Sequence, residues 1–193
     1  SGKHVILSNW QLRQEVLPVF LPPWAKVVST KLVREHCIQF SEGGNMSDDI
    51  LFHYHLALVA RDVCYLDEVL YTHRFFPESI SGQGRDKGDL MIEDRFHTWQ
   101  DLEQICEKVG FPKKDVLGQY IREFATYAYI SSKTAVYVAR VRNIILELGL
   151  NKRDLNPKSV KFYKRIMKHS AFREKLFQLK RHIKRKKQLL AGK

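Results

Sequence analysis

A chain of 193 residues with 44% hydrophobic and 11% aromatic side chains is long enough and apolar enough to fold around a core, which excludes a disordered tail or linker. Its net charge of +12 is unevenly placed: residues 158–193 hold 14 Lys or Arg against the single acid Glu174, so residues 1–157 sum to −1. A folded basic face of the kind nucleic-acid-binding domains present is therefore not expected of the body; the excess belongs to one terminal element.

In chain order, residues 9–20 predict a short helix stopped by Pro18 and Pro22-Pro23. The β-branched run Lys26–Thr30 predicts a strand, Leu32–His36 a helical turn and Ile38–Phe40 a brief extended piece. Glu42–Asn45 has the composition of a loop. Ser47 or Asp48 then caps a helix over 49–60 with Phe52, Leu56, Val59 and Ala60 on its apolar side. Val63–Leu66 and Val69–Arg74 predict strands around the acidic break Asp67-Glu68, and 82–89 is a loop. From about Glu93 the pattern is helical. Thr98 is expected to cap a helix ending at Gly110; Lys113–Leu148 makes one or two helices with a break near Ser131-Ser132, closed by Gly149; and Asn156-Pro157 starts a long basic helix over 158–190.

The three cysteines, Cys37, Cys64 and Cys106, lack metal-ligand spacing and are expected as reduced core thiols of a cytoplasmic protein. No apolar run approaches a bilayer span, and Ser1-Gly2-Lys3 opens no signal-peptide pattern.

Chemistry concentrates between Pro22 and Ser81. The segment reads Pro23-Trp-Ala-Lys26, Phe40-Ser-Glu42, Ser47-Asp48-Asp49-x-x-Phe52, and Tyr71-x-His73-Arg74 followed by Ser79-Ile-Ser81. This order and spacing resembles the acceptor-side half of family 2 glycosyltransferases, over under a third of the chain. The resemblance implies an α+β chain: an incomplete acceptor half of the GT-A type fold over 1–92, a helical subdomain over 93–157 and a basic amphipathic helix over 158–193. It also implies that Asp49 is the catalytic base and that Trp24, Lys26, Asp48, His73 and Arg74 contact acceptor or donor.

The residue types suit that chemistry. Inverting sugar transfer needs a carboxylate to take the acceptor hydroxyl proton, and a divalent Mn or Mg to stabilise the departing diphosphate. An indole stacks on sugar faces, a lysine bonds hydroxyls or phosphate, and an arginine forks onto a diphosphate. His73 stands either as an ordinary strand residue or as a metal or phosphate contact. Ser47-Asp48-Asp49 alone is also a good helix start; its neighbours tilt the reading toward a base. His53 and His55, two apart, form no ligand pair.

Asp-x-Asp, the metal and diphosphate motif of such enzymes, is absent from the chain. The expectation is therefore a portion of a larger enzyme, using a nucleotide sugar (a uridine diphosphate sugar foremost) and a glycan or lipid-linked acceptor, with the donor-binding half and metal ligands supplied elsewhere. In 158–193 the stripe Phe172, Leu176, Leu179, Ile183 and Leu190 is set among Lys180, Arg181, Lys184 and Arg185, a pattern that predicts peripheral binding to an anionic membrane on its cytoplasmic face. The rival readings are a basic helical module that binds nucleic acid, and a catalytically inactive glycosyltransferase-like subunit.

Overall fold

The computed structural model describes residues 3–6, 23–41, 48–66, 68–72, 74, 76 and 88–169. Strand β1 (Lys3–Ile6) pairs antiparallel with β2 (Asp62–Tyr65), Lys3 opposite Tyr65 and Ile6 opposite Asp62. A 3-10 turn over Pro23–Ala25 leads to α1 (Thr30–Glu35), and α2 (Asp48–Val59) precedes β2. Four further helices follow: α3 (Gly88–Val109), α4 (Lys113–Ala128), α5 (Thr134–Glu147) and, after a 3-10 turn at Lys152–Asp154, α6 (Pro157–Met167).

The architecture is helical, and this overturns the expected α+β fold with a GT-A-like acceptor half. Among the described residues the only sheet is the two-stranded ribbon. Two runs expected as strands, Lys26–Thr30 and the described residues of 69–74, form none. Their β-branched composition is a preference for a pleated surface, and without a partner ladder it builds no strand. Residues 27–29 instead run as coil into α1, whose first turn is capped by the Ser29 hydroxyl accepting from Leu32 N at 3.4 Å.

The core explains the helices. In α2 nearly every position from Ile50 to Leu58 is buried, the state of a helix that is apolar on all sides and lies inside the fold. Tyr54 meets Tyr120 of α4 edge to face, with centroids 5.6 Å apart. Tyr120 in turn stands 5.7 Å from Trp99 of α3 and 5.0 Å from Phe124. Such edge-to-face pairs add roughly 0.5–1.5 kcal/mol beyond the area they bury. Val138 and Ile145 of α5 and Ile166 of α6 complete one core that α2 shares.

The ends of α3 and α4 show why the boundaries fall where they do. Helix α3 begins at Gly88, within the stretch expected as loop, and Thr98 lies inside it with its hydroxyl donating to Asp94 O at 3.0 Å. Two long-range contacts set that start. A Cβ on Gly88 would stand 2.7 Å from Ile130 O. The Asp89 carboxylate accepts from Ser132 N at 2.8 Å and from the Ser131 and Ser132 hydroxyls, which holds its pKa below the usual carboxylate value. The C-terminus of α3 closes at Gly110, with φ 73 and Phe111 N donating to Cys106 O at 2.9 Å; Gly149 closes α5 in the same way, with φ 62 and Leu150 N on Ile145 O at 3.0 Å. Asn156 caps α6, accepting from Ser159 N at 2.9 Å with Pro157 in the first turn.

Of the three free thiols only Cys106 is a core residue; Cys37 and Cys64 are exposed, contrary to expectation. Among the described residues, no helix is long and apolar enough to cross a membrane. The helix expected over 9–20 and the continuation of the basic helix beyond 169 lie outside the described residues.

Candidate functional site

Two of the residues singled out in the sequence come together. Asp49 sits in the first turn of α2, where the helix dipole favours a carboxylate and the buried body of the helix fixes its position. Lys26 follows the 3-10 turn that packs against α2. Lys26 is half-buried as a residue with its Nζ shielded from solvent, and burial pushes its pKa from 10.5 down to about 8, with the Asp49 charge acting in the opposite direction. So a carboxylate and a lysine 23 positions apart in sequence are electrostatically coupled at the head of one helix.

The neighbouring motif residues frame this pair. Phe52, one turn along α2 from Asp49, stacks on Phe40 with centroids 4.5 Å apart and rings within 6° of parallel. Phe52 was expected on the apolar side of the helix, and it is half-buried against this ring rather than sealed in the core. Ser41 Oγ donates to Asp101 Oδ2 at 2.9 Å, which ties the Phe40-Ser41 segment to α3.

The remaining candidates are not gathered here. Asp48 opens α2 and Trp24 lies in the 3-10 turn, but their side chains lie outside the described residues, as does His73. Arg74 is exposed. The membrane-seeking set, Phe172, Leu176, Leu179, Lys180, Arg181, Ile183, Lys184 and Arg185, also lies outside the described residues. His53 and His55 are both buried. Burial lowers the pKa of His55, and the nearby charges of Lys108 and His36 lower it further.

Among the described residues no group of three or more His, Cys, Asp or Glu side chains is placed to hold a metal ion.

A second feature had no signal in the sequence. Val27, Leu66, Val69 and Leu70 are exposed, Val69 to 92% and Leu70 to 70%. They lie in the part of the chain that carries the Lys26–Asp49 pair, whereas the helices from α3 to α6 turn most of their large apolar side chains inward. Comparison with known protein families, curated proteins and solved structures finds no match to this chain.

Proposed function

We propose that this chain supplies the acceptor-side part of an inverting glycosyltransferase, with Asp49 as the general base. The donor is a nucleotide sugar, and the acceptor is a hydroxyl of a glycan or a lipid-linked glycan. Asp49 takes the acceptor hydroxyl proton while that oxygen bonds to the anomeric carbon. The bond from that carbon to the diphosphate breaks, and the nucleoside diphosphate leaves with the electron pair. Lys26 donates to the acceptor hydroxyl or to the diphosphate and holds the charge balance beside the base.

The observation that carries this reading is the coupling of Lys26 to Asp49 at the head of α2. The turn that precedes Lys26 packs against the helix that carries Asp49. The basic segment 158–193 seats the enzyme peripherally on the cytoplasmic face of an anionic membrane.

The test is Asp49→Asn in the intact enzyme that contains this chain. Loss of a general base typically costs about 100-fold to 10,000-fold in turnover, so transfer should collapse while nucleotide-sugar binding by calorimetry stays intact. Unchanged transfer would remove Asp49 from the chemistry, and absence of transfer from the wild type would favour an inactive glycosyltransferase-like subunit.

A further inference from the structure

The outer face of α6 is a row of ammonium groups. At about 3.6 residues per turn, Lys158, Lys161, Lys164 and Lys168 fall within roughly a third of the helix circumference, and all four are exposed. The opposite side is committed to the body: Ser159 and Ile166 are buried, and Phe162 and Tyr163 pack on the core. Just before the helix, Lys152 and Arg153 are exposed as well. Among the described residues none of these six cations forms an ion pair. The nearest acid in sequence, Asp154, accepts from Asn151 N at 2.9 Å.

We infer that this face of α6 is a preformed docking surface for an anionic phospholipid bilayer, an inference that rests on the peripheral-membrane reading above and places its first contact on the folded body. The side chains decide between a bilayer and a nucleic acid. Nucleic-acid recognition leans on arginine forks and on aromatic rings that stack with bases. On and against α6 itself the arginines turn inward, although Arg153 just before it is exposed: Arg165 lies 3.5 Å over the Tyr129 ring, and Arg142 donates to Ile166 O at 2.8 Å and His169 O at 3.2 Å. What faces outward is lysine, a hydrated point charge suited to the diffuse charge of a leaflet.

The sequence that follows points the same way. After His169 come Phe172, Leu176, Leu179 and Ile183 among further lysines and arginines. Large apolar side chains gain nothing against a phosphodiester backbone but enter a bilayer interface. A rigid cationic stripe followed by amphipathic sequence delivers that sequence to the headgroups.

The experiment is co-sedimentation of the full chain with phosphatidylcholine vesicles, with and without phosphatidylglycerol. Each lysine near an anionic leaflet contributes roughly five-fold. The variant Lys158→Gln/Lys161→Gln/Lys164→Gln/Lys168→Gln should therefore partition about 600-fold more weakly to the anionic vesicles. The matching four arginine replacements should retain binding, which separates charge from helix damage. A control that removes four exposed cations elsewhere, Lys31→Gln/Arg61→Gln/Lys114→Gln/Lys133→Gln, should leave partitioning near wild type. Equal weakening in both glutamine variants, or none in the α6 variant, overturns the assignment. So does a wild type that binds duplex nucleic acid of similar charge density and ignores vesicles. Transfer to a soluble acceptor should be the same in wild type and the α6 variant, so this result and the Asp49 result fail separately.

Discussion

Replacing Lys26 by methionine should make the protein more stable and the proposed enzyme inactive. The ammonium titrates at about 8 in place of 10.5, with burial the larger cause and Asp49 only a partial offset. A difference of 2.5 units, at about 1.4 kcal/mol each, sets a ceiling near 3.4 kcal/mol for the cost of holding the charge there. The Nζ is shielded but the side chain as a whole is only half-buried, so relaxation toward water lowers that ceiling, and a net cost of roughly 1–1.5 kcal/mol is the working figure. The sign follows from linkage. Because the folded-state pKa is depressed, the folded protein binds fewer protons than the unfolded chain between about 8 and 10.5, and its stability rises with pH across that window. Methionine keeps the stem's apolar contacts and removes the charge. Urea unfolding at pH 7 should show Lys26→Met more stable by roughly 1 kcal/mol, and the gap should close as pH rises toward 10. A variant less stable at pH 7, or a gap independent of pH, would refute the reasoning. A residue whose removal stabilises the fold is the signature of a site held for function.

Three further outcomes follow from other parts of the fold. Gly88→Ala would place a methyl 2.7 Å from Ile130 O; overpacking of this kind costs roughly 1–3 kcal/mol, and a melting temperature equal to wild type would mean that the close approach is not real. Cys37 ends α1 with φ 48, a left-handed conformation that costs a side-chain-bearing residue about 1–2 kcal/mol, so Cys37→Gly should stabilise by roughly 0.5–1 kcal/mol in urea after the entropy of glycine is offset. His55 is buried facing Lys108 of α3 and His36 after α1, and its pKa lies below 6.5. Its contribution is complete above that value and lost as pH falls through the lowered one; His55→Leu should flatten the fall in stability between pH 7 and 5, and an identical slope in both proteins would remove His55 as its cause.

What was legible in the sequence follows the range of the interactions. Helix α2 could be read to within a residue at either end because acids, apolar spacing and a preceding loop are local signals. The same holds for the closures at Gly110 and Gly149 and for the start of α6 at Asn156-Pro157. The start of α3 could not be read, because Gly88 and Asp89 are placed by Ile130, Ser131 and Ser132, more than forty positions away. Thr98 resembled a cap only because that contact is invisible in one dimension. Strand β1 escaped for the same reason: Lys3–Ile6 carries no strong pattern and acquires its conformation from Asp62–Tyr65. The fold class failed where β-branched runs were given strand partners that do not form. At the site, the sequence named Lys26 and Asp49 for one function; the Asp49 charge acting on Lys26, the stack of Phe40 on Phe52 and the exposure of Val69 needed coordinates.

The two members of the candidate pair differ in how they are held, and that difference is what acid–base chemistry at a sugar hydroxyl asks for. Asp49 stands at the head of a helix whose next turn carries Ile50, Leu51 and Tyr54 into the common core. Moving the carboxylate means moving Tyr54 against Tyr120, and Tyr120 is itself fixed by donating to Arg95 O at 3.0 Å. Arg95 is buried between Asp94 and Glu123, at 3.4 and 3.3 Å, with its guanidinium 4.4 Å over the Tyr127 ring. The chain of contacts from the base into the bundle is therefore packed and hydrogen-bonded throughout. Lys26 instead follows a single 3-10 turn and leads into coil, and its charge costs stability where it stands. A rigid helix defines the point at which a proton is taken, while a segment with little regular structure brings the cation that must adapt to substrate. Under the proposed function, the helices from α3 to α6 would serve the chemistry without touching it, by fixing the position of Asp49.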